Sequence, residues 1–169
     1  MSLGIVSTIG QRCKRCYSCI RECPARAIRV MNGQAVVIEE RCISCGHCVK
    51  VCSQNAKFIQ SDVEKVLRDY LPSGNSIAML APSFPAAFPE NYLQIAGALK
   101  TIGFKLVTEA AFGADLVSEY YKQYFEKEPD KIIISSPCPA VFNLIEKYHV
   151  EILPNLANVV SPMIAMGRY

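Results

Sequence analysis

Residues 12–24 read Arg12-Cys13-Lys14-Arg15-Cys16-Tyr17-Ser18-Cys19-Ile20-Arg21-Glu22-Cys23-Pro24, and residues 41–53 read Arg41-Cys42-Ile43-Ser44-Cys45-Gly46-His47-Cys48-Val49-Lys50-Val51-Cys52-Ser53. Both runs space their four cysteines x2, x2 and x3, and they stand 29 residues apart. The framework repeats with them. Arg12 answers Arg41, Ala27 answers Ala56, and Ile28-Arg29-Val30 answers Lys57-Phe58-Ile59 as a strand-like tail. A fixed period of this length marks a duplicated supersecondary unit.

The spacing points to a metal cluster. A cubic iron–sulfur cluster needs four thiolates in a tetrahedral arrangement, and cysteines at x2 steps in a tight turn wrap one side of such a cube. Zinc also takes four thiolates, but its ligands usually come as two Cys-x2-Cys pairs divided by a longer loop. A disulfide framework needs an oxidising compartment, and the N-terminus shows no signal-peptide pattern. The stretch from about residue 11 to 60 resembles the bacterial ferredoxins that carry two 4Fe–4S clusters. In that family the fourth cysteine of each run ligates the other cluster. The resemblance therefore implies Cys13, Cys16, Cys19 and Cys52 around cluster one, and Cys42, Cys45, Cys48 and Cys23 around cluster two. Ser53 replaces the proline that usually follows the second run, a position that supplies no ligand.

With 169 residues, about half of them apolar, the chain can build one large or two small domains. No run approaches the roughly 18 apolar residues of a membrane helix, so a soluble, cytoplasmic protein is expected. Net charge is +3, unevenly spread. Residues 1–60 hold nine basic and three acidic residues, a net +6, and the remainder is net −3. Cations near an anionic cubane raise its potential, and compensation of cluster charge is the favoured explanation. A docking face for an acidic redox partner is the sharper one. Nucleic-acid binding fits poorly, because the charges interleave with the cysteines.

In order, residues 1–10 form an apolar lead-in with an edge-strand pattern. Asn32-Gly33 predicts a two-residue hairpin turn between Ile28–Val30 and Ala35–Ile38. The unit closes near residue 60 with a strand around Phe58. A helical pattern over Asp62–Leu71, ended by Pro72-Ser73-Gly74-Asn75, reads as a connector over residues 61–75. Residues 76–169 then alternate: strands at Ile77–Ala81, Lys105–Glu109 and Lys131–Ser135, helices at Asn91–Ile102, Ala114–Glu126 and Val141–Tyr148. The fold class expected is an α+β ferredoxin-like domain followed by an α/β domain with a parallel sheet. Ligands in such sheets gather beyond the carboxyl ends of the strands. The ninth cysteine, Cys138, lies at such a place in Ser135-Ser136-Pro137-Cys138-Pro139. A lone cysteine is often a small buried hydrophobe, but its position and flanking prolines favour a ligand or reactive thiol.

This order of ferredoxin, connector and α/β domain is similar to the start of an FeFe-hydrogenase large subunit. The similarity is carried by Pro82-Ser83-Phe84, Phe112-Gly113-Ala114-Asp115, Ser135-Ser136-Pro137-Cys138-Pro139 and Ser161-Pro162-Met163. In that family of oxidoreductases the first signature reads Thr-Ser-Cys-Cys-Pro. Its second cysteine, matched by Cys138, ligates the cubane of the H-cluster. The cysteine before it relays protons, and that position here is Pro137, which has no transferable proton. This substitution resembles the divergent branch of the family linked to sensing. The family also needs three further cysteines, and none follows Cys138, so the H-cluster cannot be completed by this chain. Met163, Ile164 and Met166 read as the apolar face of a helix cut short, and the expectation is a truncated piece of a longer protein.

Other residues read more plainly. His47 is expected beside the cluster ligands or exposed, and Tyr17 as packing. Tyr120, Tyr121 and Tyr124 fit a half-buried helix face, and Asp115 a charge in a helix's first turn. Glu109 and Asp115 also lie near the rim, where acid–base work is the alternative. The function expected is one-electron transfer through two 4Fe–4S clusters towards a redox partner or downstream domain, with little hydrogen turnover. The alternatives are a redox or hydrogen sensor coupled to a signalling module, and an iron–sulfur assembly factor.

Overall fold

A computed structural model describes residues 5–169, so the part of the lead-in over residues 1–4 lies outside the described residues. The chain condenses into two compact units. One runs to Ser61 and adds Cys138–Leu156; the other holds Asp62–Pro137 and Ala157–Tyr169.

The duplication seen in the sequence is a duplication in space. Strand β1 (Val6–Thr8) leads through a 3-10 turn at Gly10–Arg12 into the first cysteine loop and the one-turn helix α1 (Ser18–Arg21). Strands β2 (Ile28–Met31) and β3 (Gln34–Val37) follow. A second 3-10 turn at Glu39–Arg41, helix α2 (His47–Lys50) and strand β4 (Lys57–Ile59) repeat the plan. β2 pairs antiparallel with β3, Met31 opposite Gln34, through the expected turn, where Asn32 and Gly33 take φ of 49° and 74°. β1 pairs antiparallel with β4, so the lead-in's edge strand is present.

Left-handed residues recur with the same 29-residue period. Arg15, Tyr17 and Arg26 have φ of 59°, 59° and 46°; Ser44, Gly46 and Asn55 have 59°, 72° and 48°. For side chains other than glycine this conformation is uncommon, and it bends each cysteine loop tightly. Such strain persists where the surroundings over-determine it, commonly at functional sites.

The connector helix is broken more than its pattern suggested. α3 (Val63–Lys65) passes into a π turn over Val66–Tyr70 and a 3-10 turn over Leu71–Ser73, ended by Gly74 at φ 68°. The second unit continues with β5 (Ile77–Leu80), α4 (Phe84–Ala87), α5 (Tyr92–Ile102), β6 (Leu106–Glu109) and α6 (Ala110–Lys127). β5 and β6 form a parallel pair. The third strand expected at Lys131–Ser135 is not formed: Ile134 makes only an isolated bridge, its carbonyl accepting from the Ala157 N–H at 2.8 Å, and Ile132 is exposed. Apolar β-branched residues supply propensity, but a strand needs a neighbour to pair with.

α6 begins at Ala110 rather than Ala114. Gly113, just before the expected helix start, lies inside α6 as a packing glycine. A Cβ there would lie 2.1 Å from the Pro162 carbonyl oxygen and 3.0 Å from Met166 Cβ, both on α8 (Pro162–Arg168). Asp115 thereby falls in the second turn and not the first, where the helix dipole is weaker. Helix α7 (Pro139–Tyr148) compacts with the first unit. Among the described residues no helix is long and apolar enough to cross a membrane.

Candidate metal centres

The core of the first unit is made of small residues and sulfur. Val6, Cys19, Ile28, Ala35 and Cys48 form one buried cluster, and Ala25, Ala27 and Ile43 another. Two small cavities of similar size lie beside them. Cys13, Cys16, Cys19 and Cys52 line the first. Cys23, Cys42, Cys45 and Cys48 line the second. Each cavity thus draws three cysteines from one run and its fourth from the other.

Four cysteines line each cavity, an all-sulfur donor set of the kind that holds an iron–sulfur cluster and that zinc also takes. Backbone amides already face the sulfurs. The Ala27 N–H donates to Cys23 Sγ and the Ala56 N–H to Cys52 Sγ, both at 3.3 Å and 29 residues apart; the Ser44 N–H donates to Cys42 Sγ at 3.4 Å. Such bonds favour the thiolate. Hydrogen bonding to the Ala35 and Arg15 backbone pulls the Cys13 thiol below its ordinary value, and bonding to the Ser18 backbone and hydroxyl does the same for Cys16. Burial pushes Cys19 up and Cys48 up to about 11. A cluster's iron is what would hold these two inner sulfurs as thiolates.

Lys57 is the residue that spacing alone did not single out. Its side chain is 3 % exposed, and its ammonium donates to the Thr8 hydroxyl at 2.5 Å and the Ala35 carbonyl at 2.8 Å. The signal was available, since Lys57 stands opposite Ile28 in the repeat alignment, a charge where an apolar residue suffices.

Helix α7 clasps the second cysteine loop. The Tyr148 hydroxyl donates to the carbonyls of Ala25 at 3.0 Å and Arg41 at 2.8 Å. Lys147 Nζ donates to those of Glu39 at 3.1 Å and Cys42 at 2.7 Å, and Asn143 to that of Ile43 at 3.4 Å. Leu144 packs against Ala25, Ala27 and Ile43. Cys138 occupies the N-cap position of this helix without a side-chain capping bond, Pro139 follows it as the first helical residue, and it is exposed.

In the second unit Tyr121 organises the segment expected as a strand end. Its hydroxyl accepts from the Ser136 N–H at 3.2 Å and the Ser135 hydroxyl at 3.4 Å, while the Ser136 hydroxyl donates to the Val159 carbonyl at 2.7 Å. Burial pushes Tyr121 up, but these serine hydrogen bonds outweigh it and leave it below its ordinary value. Tyr17 lines the first cavity, in keeping with a packing role. His47 is half-exposed, 3.9 Å from a Glu22 oxygen. Leu93, Ile132 and Met163 stand largely exposed, so much apolar surface of this unit lies open.

Two known families match the chain, and the second match includes residues 138–156, which compact with the first unit. Residues 5–53 match the 4Fe-4S dicluster domain. Residues 75–169 match the iron only hydrogenase large subunit, C-terminal domain.

Proposed function

We propose, from the premise that this chain belongs to the iron-only hydrogenase large-subunit family, that it conducts single electrons through two centres held by its duplicated unit. The observation that carries this reading is the pair of four-cysteine cavities, each completed by the opposite run. When bound, two [4Fe–4S] clusters supply one-electron carriers. Cys13, Cys16, Cys19 and Cys52 would hold the first, and Cys42, Cys45, Cys48 and Cys23 the second. The chain's own contribution is to fix the sulfurs, direct amide N–H groups at them, and bury their inner faces among Val6, Ile28 and Ala35. Exposed Lys14, Arg15 and Arg21 surround exposed Cys16, with the Arg21 guanidinium donating to the Cys16 carbonyl at 3.1 Å. Such a collar suits an acidic redox protein as the partner.

The test is anaerobic reconstitution with iron and sulfide counting and EPR of the reduced protein. About eight irons and eight sulfides per chain are expected for two cubanes, and zinc or half that iron would reject the reading. Cys23→Ser should perturb only the EPR signal of the centre rimmed by Cys42, Cys45 and Cys48. Loss of the other signal would refute the exchange of ligands between runs.

A sensing role is the second reading, and Pro137 favours it. Proline at that position offers no side-chain proton to relay, so little or no hydrogen uptake with a dye acceptor is expected. Robust turnover would remove the sensing reading.

A further inference from the structure

Lys57 is a buried cation that no anionic side chain among the described residues answers. Its ammonium contacts a hydroxyl and a carbonyl, both neutral, and among the described residues no carboxylate pairs with it. Burying an ammonium without a counter-charge is unfavourable, and the same place in the first repeat is filled by Ile28, buried and apolar. Apolar packing alone would therefore have sufficed. The charge has an answer only if anions come to lie close by. Lys57 lines the cavity rimmed by Cys13, Cys16, Cys19 and Cys52. The Ala35 whose carbonyl it bonds also belongs to the buried cluster that holds Cys19 of this set and Cys48 of the other.

We propose that Lys57 is the internal counter-charge of the paired centres, a positioning residue that raises the reduction potential of the first cluster strongly and of the second less. This rests on the two-cluster reading. One-electron reduction adds a negative charge to a cluster, and a fixed cation in a water-poor wall stabilises that added charge. Thr8 and Ala35 aim the ammonium, and β4, pinned by pairing Lys57 opposite Thr8 on β1, fixes its reach. Because Lys57 lines one cavity and not the other, the two potentials are set apart.

The experiment is EPR-monitored redox titration of the reconstituted protein beside Lys57→Met, Lys57→Ile and Lys57→Arg. Lys57→Ile copies what the first repeat already tolerates and guards against a folding failure of Lys57→Met. Iron and sulfide are counted first. A wild-type protein that binds no iron sinks the two-cluster reading itself, and the inference with it. With clusters bound, both neutral variants should weaken electron uptake at the first cluster at least tenfold, about 59 mV for a one-electron couple. The second cluster should move less, and Lys57→Arg should restore most of the shift. Fully loaded neutral variants with unchanged potentials, or equal shifts in Lys57→Arg, would overturn the proposal and leave Lys57 a purely structural donor.

Discussion

Tyr148→Phe removes one oxygen from the clasp between α7 and the second cysteine loop and leaves the ring in place. The hydroxyl lies 3.0 Å from the Ala25 carbonyl and 2.8 Å from that of Arg41. A hydroxyl carries one hydrogen, so the two contacts share a donor and do not add. One net hydrogen bond contributes about 0.5–1.5 kcal/mol. The two acceptors then differ. Arg41 is exposed, and water replaces the lost donor there; Ala25 is buried, and a buried carbonyl left unanswered costs about 1–3 kcal/mol. The expected loss is about 2 kcal/mol, intermediate between these limits. Lys147→Met deletes a donor that is exposed, so water substitutes and less than about 1 kcal/mol is expected. The assay is iron release to a chelator from the anaerobic reconstituted protein, alongside denaturant unfolding. Tyr148 anchors Ala25 and Arg41, the neighbours of Cys23 and Cys42, so release should become biphasic. The faster phase should quicken up to about thirtyfold, 2 kcal/mol at 1.4 kcal/mol per tenfold, while the slower keeps the wild-type rate. Monophasic release at the wild-type rate with an unchanged midpoint would refute the reasoning.

Gly113→Ala should destabilise the second unit, because its Cβ would meet the Pro162 backbone oxygen at 2.1 Å. Overpacking of about 1–3 kcal/mol exceeds the roughly 1 kcal/mol gained in helix propensity, and the thermal midpoint should fall. Gly97→Ala in α5 meets nothing within 4 Å and should raise it by the propensity term alone. Cys138→Ser should leave the iron count and both EPR signals unchanged; loss of iron would place Cys138 among the ligands of the two centres. Reversing Lys14 and Arg15 to glutamate should slow electron exchange with an acidic carrier at low salt, and the difference should vanish at high salt. An effect insensitive to salt would exclude a steering role.

The duplicated unit was legible because covalent spacing dictates it. Four cysteines at fixed steps constrain the loop more tightly than any propensity, and Asn32-Gly33 names its turn through its φ requirement. The second unit was less legible for physical reasons that its residues show. Gly113 carries the same letter whether it starts a helix or admits a neighbouring backbone, and only α8 decides between them. Ile132-Ile133-Ile134 has strand propensity, but only Ile134 enters a bridge, and pairing is a property of the assembled sheet. Nor does local sequence say that α7 compacts with cysteine loops a hundred residues earlier, since Asn143, Lys147 and Tyr148 look like ordinary polar residues of an amphipathic helix.

What the two halves share and where they part are separate kinds of information. Features both cysteine loops require are written twice: the left-handed turns, the amides aimed at sulfur, and the alanines at 27 and 56. Features only one half requires are written once, and alignment of the halves isolates them. Ile43 stands where the first loop has Lys14, and the reason is visible: Ile43 is buried against Leu144 of α7, whereas Lys14 is exposed. Lys57 stands where the first half has Ile28, at the wall of one cavity and not the other. A duplicated pair starts with two equal centres, and equal centres give an electron no preferred direction. The single-copy residues remove that equality, a covering helix on one loop and a buried cation beside the other. On the two-cluster proposal, the potentials, and the face offered to a partner, would be set by the residues in which the repeats differ and not by the cysteines they hold in common.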